Sequence, residues 1–437
     1  MAVGIGGRLW GGYVNLEAND DHVEVVQRLL NNQSIEHKDS CWECFQPPLF
    51  YKTNAAIAQI TGKHSRSALF RQMQYENVVF SLLTILLAFL FLKHQGVSQS
   101  VNLLTTSFWL VNPALFSIGI QSTNDTLIIL LGAGTVYFLV RYLSSKKLSF
   151  ALWALLSLSI APHFKGSGIA VFLLGTIVLI PILFYVKKHR YLLSVLAVST
   201  YLLVTHSHYT SNYKKYENAF AINQKKTLKP PLFDDGQEFW KRPGITSVWS
   251  GYFKFQFRSL LTTPHNINWG DDYPAHRTSF WAQHYGSFYH AQFLNHPQSW
   301  RSTHAGLLNL TRITFILGLL PLGLLLIGLG AELVSFFREI RFDRKFLERL
   351  IHFGFLFGFI CFNLKYSYDY RDFGCIKAIF ILPAILSMTY FFVHGLTLPV
   401  WGRFRKFVLL SVAAVGVLCA ANIVFLLVQL SKPYFAG

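Results

Sequence analysis

Residues 168–190 read GIAVFLLGTIVLIPILFYVKKHR: nineteen residues without a charge, then Lys187, Lys188 and Arg190. A hydrocarbon core needs roughly 20 consecutive apolar residues in a helix to cross it. Lys and Arg gather at the cytoplasmic ends of such helices. The stretch therefore predicts a membrane span with its C-terminal end inside. Working outward, comparable apolar runs lie at about 77–93, 101–121, 125–143, 148–162, 190–206, 306–337, 350–363, 375–396 and 405–430. The runs at 148–162 and 350–363 are short, and Pro113 interrupts the one at 101–121. The expected fold class is an all-α polytopic membrane protein with about ten transmembrane helices.

Composition points the same way. Of 437 residues, 52% are hydrophobic and only 14% are charged, and mean hydropathy is +0.36. Soluble domains carry about a quarter charged residues, so a soluble enzyme, a disordered tail and a secreted disulfide module are all excluded. Thirty-nine Lys and Arg against 21 Asp and Glu give a formal charge of +18. In a membrane protein this excess marks cytoplasmic loops and anionic lipid rather than nucleic acid. Five cysteines make no disulfide framework.

The basic clusters are Lys146–Lys147, Lys187–Arg190, Arg338–Arg349 and Arg403–Lys406. With ten spans they share one side, which the positive-inside rule makes cytoplasmic. The expected organisation is a first non-cytoplasmic loop at 1–76, spans 1–6 at 77–206, an aromatic non-cytoplasmic loop at 207–305, and spans 7–10 at 306–437. The first 76 residues must then be outside with nothing before them to carry them across. Residues 1–13 are Gly-rich, too short to span, and unlike a signal peptide. An upstream helix missing from the chain is the favoured expectation over unaided translocation.

The unusual polar residues collect on the other side. Asn19-Asp20-Asp21-His22 reads as a helix N-cap or as a catalytic carboxylate at a membrane cleft. Cys41-Trp42-Glu43-Cys44 has CxxC spacing, a weak metal signal on its own. An oxidised, structural pair is the expected reading there. Cys361, Cys375 and Cys419 lie in or near apolar spans and are expected in the core. Asn124-Asp125 is a good helix start or part of a polar site. Lys165 can snorkel to the surface or bind a phosphate. Tyr366–Asp372 and Lys377 place Arg371 and Lys377 where they serve no orienting purpose. A lipid phosphate would supply one, and Asp369 and Asp372 are equally suited to neutralise them. Ser279–Leu294 reads as an interfacial amphipathic helix. Membrane anchoring explains the loop's Trp and Tyr better than sugar stacking does. His276, His284 and His290 lack the spacing of a metal site, and no metal is expected.

In order, the chain carries an acidic pair, Gln46-Pro47-Pro48-Leu49-Phe50-Tyr51, NPALFSIGIQSTNDTL at 112–127, a Lys165-Gly166 turn, and KAIFILP at 377–383. This set resembles the GT-C superfamily of polyprenyl-phosphate-sugar-dependent glycosyltransferases, and within it the protein O-mannosyltransferases and the bacterial aminoarabinose and lipopolysaccharide-sugar transferases. The resemblance covers about residues 15–395. Gln46 stands where those proteins often have His. The resemblance implies Asp20 as general base, with Asp21 orienting it or holding substrate. It implies Gln46, Asn124 and Asp125 in a polar cleft, and Lys165, Arg371 and Lys377 as partners of the donor phosphate. It also implies inversion at the anomeric carbon and no cofactor or metal. The expected partners are a polyprenyl-phosphate-linked sugar, a protein, glycolipid or glycan acceptor, and the bilayer.

Two other readings fit the helices. One is a non-enzymatic transporter or flippase of lipid-linked sugars, and the other is an inactive subunit of a membrane complex. The transporter does not explain why the acidic pair and both large loops gather on one side, and the expected absence of a leading helix keeps the inactive subunit open. The expected location is the bacterial plasma membrane with the site facing the periplasm, ahead of the endoplasmic reticulum with a lumenal site.

Overall fold

The computed structural model of the chain describes residues 2–15, 21–35, 37–206, 208–221, 248–262, 279–290, 305–370 and 376–435, and every regular element among them is helical. The chain opens with α1 (Ala2–Val14), α2 (His22–Leu30), α3 (Leu49–Thr61) and the long α4 (Arg66–His94). Next come α5 (Gln99–Leu110), α6 (Pro113–Gly119), α7 (Asp125–Ser145), α8 (Leu148–Phe164), α9 (Gly168–Val186) and α10 (Arg190–Thr205). Four short helices follow: α11 (His208–Tyr216), α12 (Val248–Phe253), α13 (Phe257–Thr262) and α14 (Phe280–Tyr289). The remainder is α15 (Ala305–Arg338), α16 (Arg344–Tyr370), 3-10 turns at Ala378–Phe380 and Leu382–Ala384, α17 (Ile385–Thr397), a further 3-10 turn at Pro399–Phe404, and α18 (Arg405–Phe435).

Among the described residues six helices are long and apolar enough to cross a membrane, or seven if α5 and α6 form one span. The ten apolar runs thus become six or seven helices of spanning length plus the shorter apolar helices. The run at 101–121 bends by 55° between α5 and α6. Pro113 has no amide hydrogen and starts a new helix instead of continuing the old one. Asn112 caps that helix, its Oδ1 accepting from Leu115 N at 3.0 Å. It also donates from Nδ2 to Phe288 O at 3.1 Å.

Residues 2–14 form a helix of about 20 Å, set against α4, α6 and α18. Its glycines make the contact possible. A Cβ on Gly11 would stand 2.9 Å from Ile120 and 3.1 Å from Leu427. Arg8 on the same helix is wholly buried. Its guanidinium donates to Ser81 Oγ at 2.9 Å and to the carbonyls of Gly4 and Leu110, and it lies over the Phe116 ring. A buried charge needs such partners.

The reading of Ser279–Leu294 as an interfacial helix is corrected by α14. Phe280, Gln283, His284, Ser287 and Tyr289 are all buried, and residues 291–294 lie outside the described ones. The reason is hydrogen bonding. Tyr289 Oη donates to Gly318 O at 3.0 Å, and Tyr285 donates to Phe315 O. Gly318 leaves the room, since a Cβ there would meet Tyr285 Oη at 2.8 Å. Cys419 is buried as expected, but Cys361 is exposed. Cys375 lies outside the described residues.

The basic clusters gather at one end of the bundle. His94 at the end of α4 meets Ser144 at the end of α7, at 3.0 Å. Lys146 lies 5.9 Å from the centre of the Tyr185 ring at the end of α9, and Tyr185 in turn meets Phe342 between α15 and α16. Arg349 and His394 both pair with Glu332, at 2.7 and 2.9 Å.

The tightest helix crossing joins α15 to α17. A Cβ on Gly328 would lie 1.9 Å from Phe391 O, and one on Gly395 would lie 1.9 Å from Leu324 O. Backbone atoms cannot swing aside as a side chain can, so the helices must separate. Gly328→Ala is expected to cost about 1–3 kcal/mol, the range for overpacking, read as a lowered thermal midpoint in detergent. Gly416→Ala on α18, with nothing within 4 Å, serves as the control and should leave the midpoint unchanged.

Candidate functional site

At the opposite end from the basic clusters, the start of α7 meets the turn between α8 and α9. Lys165 Nζ lies 2.8 Å from Asp125 Oδ1 and donates to Asn124 Oδ1 at 2.8 Å. Asp125 Oδ2 accepts from Thr123 Oγ1 at 3.0 Å, and Asn124 Nδ2 donates to Phe164 O at 3.3 Å. Asp125 is also the first residue of α7, where the helix dipole favours an anion. The turn needs its sequence, Pro162 to Gly168. A Cβ on Gly168 would stand 2.1 Å from Ala161 O, so only glycine lets the chain reverse there.

A third strand of chain closes onto that turn. Gly166 N donates to Gln46 Oε1 at 3.2 Å. Cys41 and Cys44 form a disulfide just before Gln46. Phe45 O accepts from His208 Nε2 on α11 at 3.1 Å, and Tyr209 Oη donates to Pro162 O at 2.8 Å. These pieces enclose a cavity of about 360 Å³. Gln46, Lys165, His208, Lys365, Tyr366 and Phe380 are among its lining residues. Lys365 pairs with Asp369 at 2.6 Å, and Asp369 lines the cavity too. An ammonium has three donors. Two of those on Lys165 are engaged among the described residues, and the third remains for the cavity.

Four of the eight candidate residues therefore converge: Gln46, Asn124, Asp125 and Lys165. Asp21 stands apart from them. It caps α2, its Oδ1 accepting from Glu24 N at 3.1 Å, and takes a two-pronged hydrogen bond from Arg66, both distances 2.8 Å. Lys377 is half-buried. It precedes the turn whose Phe380 lines the cavity, and that turn is pinned by Ala378 N donating to Ser287 Oγ at 2.9 Å. Asp20 and Arg371 lie outside the described residues, as does His276. Among the described residues no group of three or more His, Cys, Asp or Glu is placed to hold a metal.

Sequence reading missed the residues that fix the approach to Asp125. Asn77 Nδ2 donates to Gln121 O at 2.9 Å and Thr123 O at 2.7 Å. Asn15 donates to Ile120 O at 3.0 Å. Gln74, Asn77, Ser81 and Thr84 are all buried on α4. Their spacing of three, four and three residues marks one helix face, and a polar stripe along an apolar helix was the available signal. Lys365 and His208 were likewise not singled out.

Residues 45–211 match the family of dolichyl-phosphate-mannose-protein mannosyltransferases. The match supports the resemblance to GT-C glycosyltransferases of the protein O-mannosyltransferase kind, and with it a membrane glycosyltransferase that uses a polyprenyl-phosphate-linked sugar. Among the curated proteins nothing matches. The matched segment contains Gln46, Asn124, Asp125 and Lys165. It leaves out Asp20, Asp21, Arg371 and Lys377.

Removing one partner of a buried ion pair strands the other charge. Lys165→Met is expected to cost about 3–5 kcal/mol on that account, and adding Asp125→Asn should recover part of it. Thermal unfolding of the two single variants and the double one measures the coupling; strictly additive losses would show that the pair is not coupled.

His208 carries a pH signature. Burial holds its imidazole below the ordinary value, with His163 and Lys215 adding to the effect and the Phe45 O hydrogen bond opposing it. The unfolded ring takes a proton near pH 6.5, whereas the folded ring does so only at lower pH. Its contribution is therefore full above about pH 6.5 and is lost as pH falls toward the folded value. His208→Asn should flatten the drop in thermal midpoint between about pH 7 and pH 5.

Proposed function

We propose that this chain moves a sugar from a polyprenyl-phosphate donor, bound at the cavity beside Lys165, to an acceptor hydroxyl on the non-cytoplasmic face of the membrane. The observation that carries the reading is that Gln46 and Lys165, both inside the matched segment, line one amphipathic cavity, with Asp125 pairing to Lys165 behind it. About 360 Å³ falls within the roughly 300–1,000 Å³ of ligand pockets. Aromatic side chains line it beside two lysines, a mixture suited to an isoprenoid with an anionic head. The basic clusters at the far end favour a cytoplasmic face there, which leaves the cavity outside.

The chemistry follows from the donor. Its leaving group is a lipid phosphate, already anionic. As the bond from the anomeric carbon to the phosphate oxygen breaks, charge grows on that oxygen. A fixed ammonium stabilises this charge without reorganising, and in a dry site the effect is large. Lys165 is the proposed partner, held in place by Asp125 and Asn124, with Lys377 and Arg371 as further cations of the phosphate. The acceptor hydroxyl attacks from the opposite face while its proton passes to Asp20. Attack opposite the leaving group inverts the anomeric carbon. Asp21, tied to Arg66, holds the start of α2 beside Asp20 in the chain. The family's name makes a protein hydroxyl the first acceptor to test, ahead of a glycolipid or a glycan. The plasma membrane of a bacterium is the proposed home, with the endoplasmic reticulum second.

Asp20→Asn in proteoliposomes is expected to abolish transfer from dolichyl-phosphate mannose to a Ser/Thr peptide while donor binding persists. Undiminished transfer would remove Asp20 from the role of base. Donor translocation by the wild type without any transfer would instead identify a flippase.

A further inference from the structure

Directly after the acidic pair comes His22, the first residue of α2, with 1% of its surface exposed. Its Nδ1 lies 2.9 Å from Tyr51 Oη, and the two rings stack at 5.9 Å between centroids. Tyr51 belongs to the first turn of α3 and is fully buried. The same Nδ1 lies 3.9 Å from Glu43 Oε2, an ion-pair distance rather than a hydrogen bond. Glu43 is itself buried and sits inside the turn closed by the Cys41–Cys44 disulfide. That turn runs straight on into Phe45 and Gln46, which wall the cavity. The Cys41–Cys44 turn thereby links His22 to Gln46, whose Oε1 accepts from Gly166 N next to Lys165. Two buried polar contacts, His22 to Tyr51 and His22 to Glu43, thus fasten the start of α2 to the segment that walls the cavity.

Stability alone is a poor reason for this cluster. Buried ionic groups are often no better than apolar ones of equal volume. The nine residues of α2 are too few to hold a helix by themselves. Val23, Val25 and Val26 bury its apolar face, which sets its depth and its approximate rotation. Each residue of a helix turns by about 100°. A slip of one position would swing the residues at its start to another side of the helix. A directional hydrogen bond between His22 Nδ1 and Tyr51 Oη opposes that slip.

Resting on the transferase reading above, we propose that His22 is a positioning residue: held by Tyr51 and Glu43, it fixes the start of α2, which carries Asp21, relative to α3 and, through the disulfide turn and Gln46, to the Lys165 turn. It touches neither donor nor acceptor. Misplacement of a reacting group by about 1 Å can cost on the order of 100-fold in rate, so the effect belongs in kcat. The Tyr51 hydroxyl is the cleanest handle, because Tyr51→Phe keeps the ring and its packing.

The full chain is assayed in proteoliposomes with dolichyl-phosphate mannose and a Ser/Thr peptide. Tyr51→Phe and His22→Phe should lower kcat by about 10- to 100-fold, with KM for the donor within about twofold of wild type. His22→Asn, which keeps a polar group near the Nδ1 position, should retain more activity than His22→Phe. Both kcat values within twofold of wild type, or losses matched by the loss of folded protein, would overturn the proposal. A second measurement is independent of turnover. Spin labels at Asn31 and Ser167, with the unpaired cysteines replaced, report the distance from α2 to the Lys165 turn. Tyr51→Phe should broaden that distribution, and an unchanged one overturns the proposal. A wild type that transfers nothing while the distribution still broadens defeats the transferase reading and leaves His22 as the fastener of α2.

Discussion

Lys165 joins three stretches of chain that no apolar contact would hold in register. Its ion pair with Asp125 ties the α8–α9 turn to the start of α7, and Gly166 beside it receives Gln46. In the low dielectric at the edge of a bundle, neither charge can remain alone. Each therefore dictates where the other must be. Apolar surfaces slide over one another at little cost, whereas a buried pair has one good geometry. The cavity is a consequence: its walls stand where the ion pair and the hydrogen bonds around it place them.

The same constraint extends into the bundle. The segment from Ile120 to Thr123 runs without regular structure between α6 and α7, so its carbonyls need outside donors. Asn15, Gln74 and Asn77 provide them. Where lipid surrounds the helices, water is not there to substitute. Glycine does the complementary work on the apolar side. At Gly328 and Gly395 two backbones touch, and at Gly132 a Cβ would stand 2.5 Å from Pro383 O. Close backbone approach at small residues is how membrane helices gain packing without a hydrophobic drive. Polar fasteners thus set the register at the cavity end, and small residues set the spacing within the bundle.

These two devices differ in how they show in sequence. The apolar runs and the basic flanks were legible, because span length and charge bias act residue by residue. Gln46, Asn124, Asp125 and Lys165 were legible singly as polar residues at the end of an apolar run or beside a proline turn, and as a set only through the resemblance. The stripe of Gln74, Asn77, Ser81 and Thr84 was readable only as a helical period hidden within a mixed segment. Lys365 and His208 were not readable, because nothing local distinguishes them from any polar residue near a helix end. The burial of α14 was misread for a related reason. Its Tyr and Trp suit an interface, and only the carbonyls of Phe315 and Gly318 on α15 make the interior better.

The matched segment and the rest of the chain build different parts of the cavity. Residues 45–211 supply Phe45, Gln46, Pro47 and Lys165, and all of these except Pro47 are tied by hydrogen bonds to another segment of chain. The rest of the lining comes from outside it: Asn212, Asn218 to Ala221, then Phe362, Lys365, Tyr366, Asp369 and Phe380. Four of these ten residues are aromatic, and the ion pair between Lys365 and Asp369 lies within a single helix and is largely exposed on the lysine. An exposed i, i+4 pair contributes only about 0.3–0.5 kcal/mol, so it opens easily to an incoming anion. A fixed cation at Lys165 and a releasable one at Lys365, both lining the cavity, are an arrangement suited to admitting a charged ligand before tightening around it.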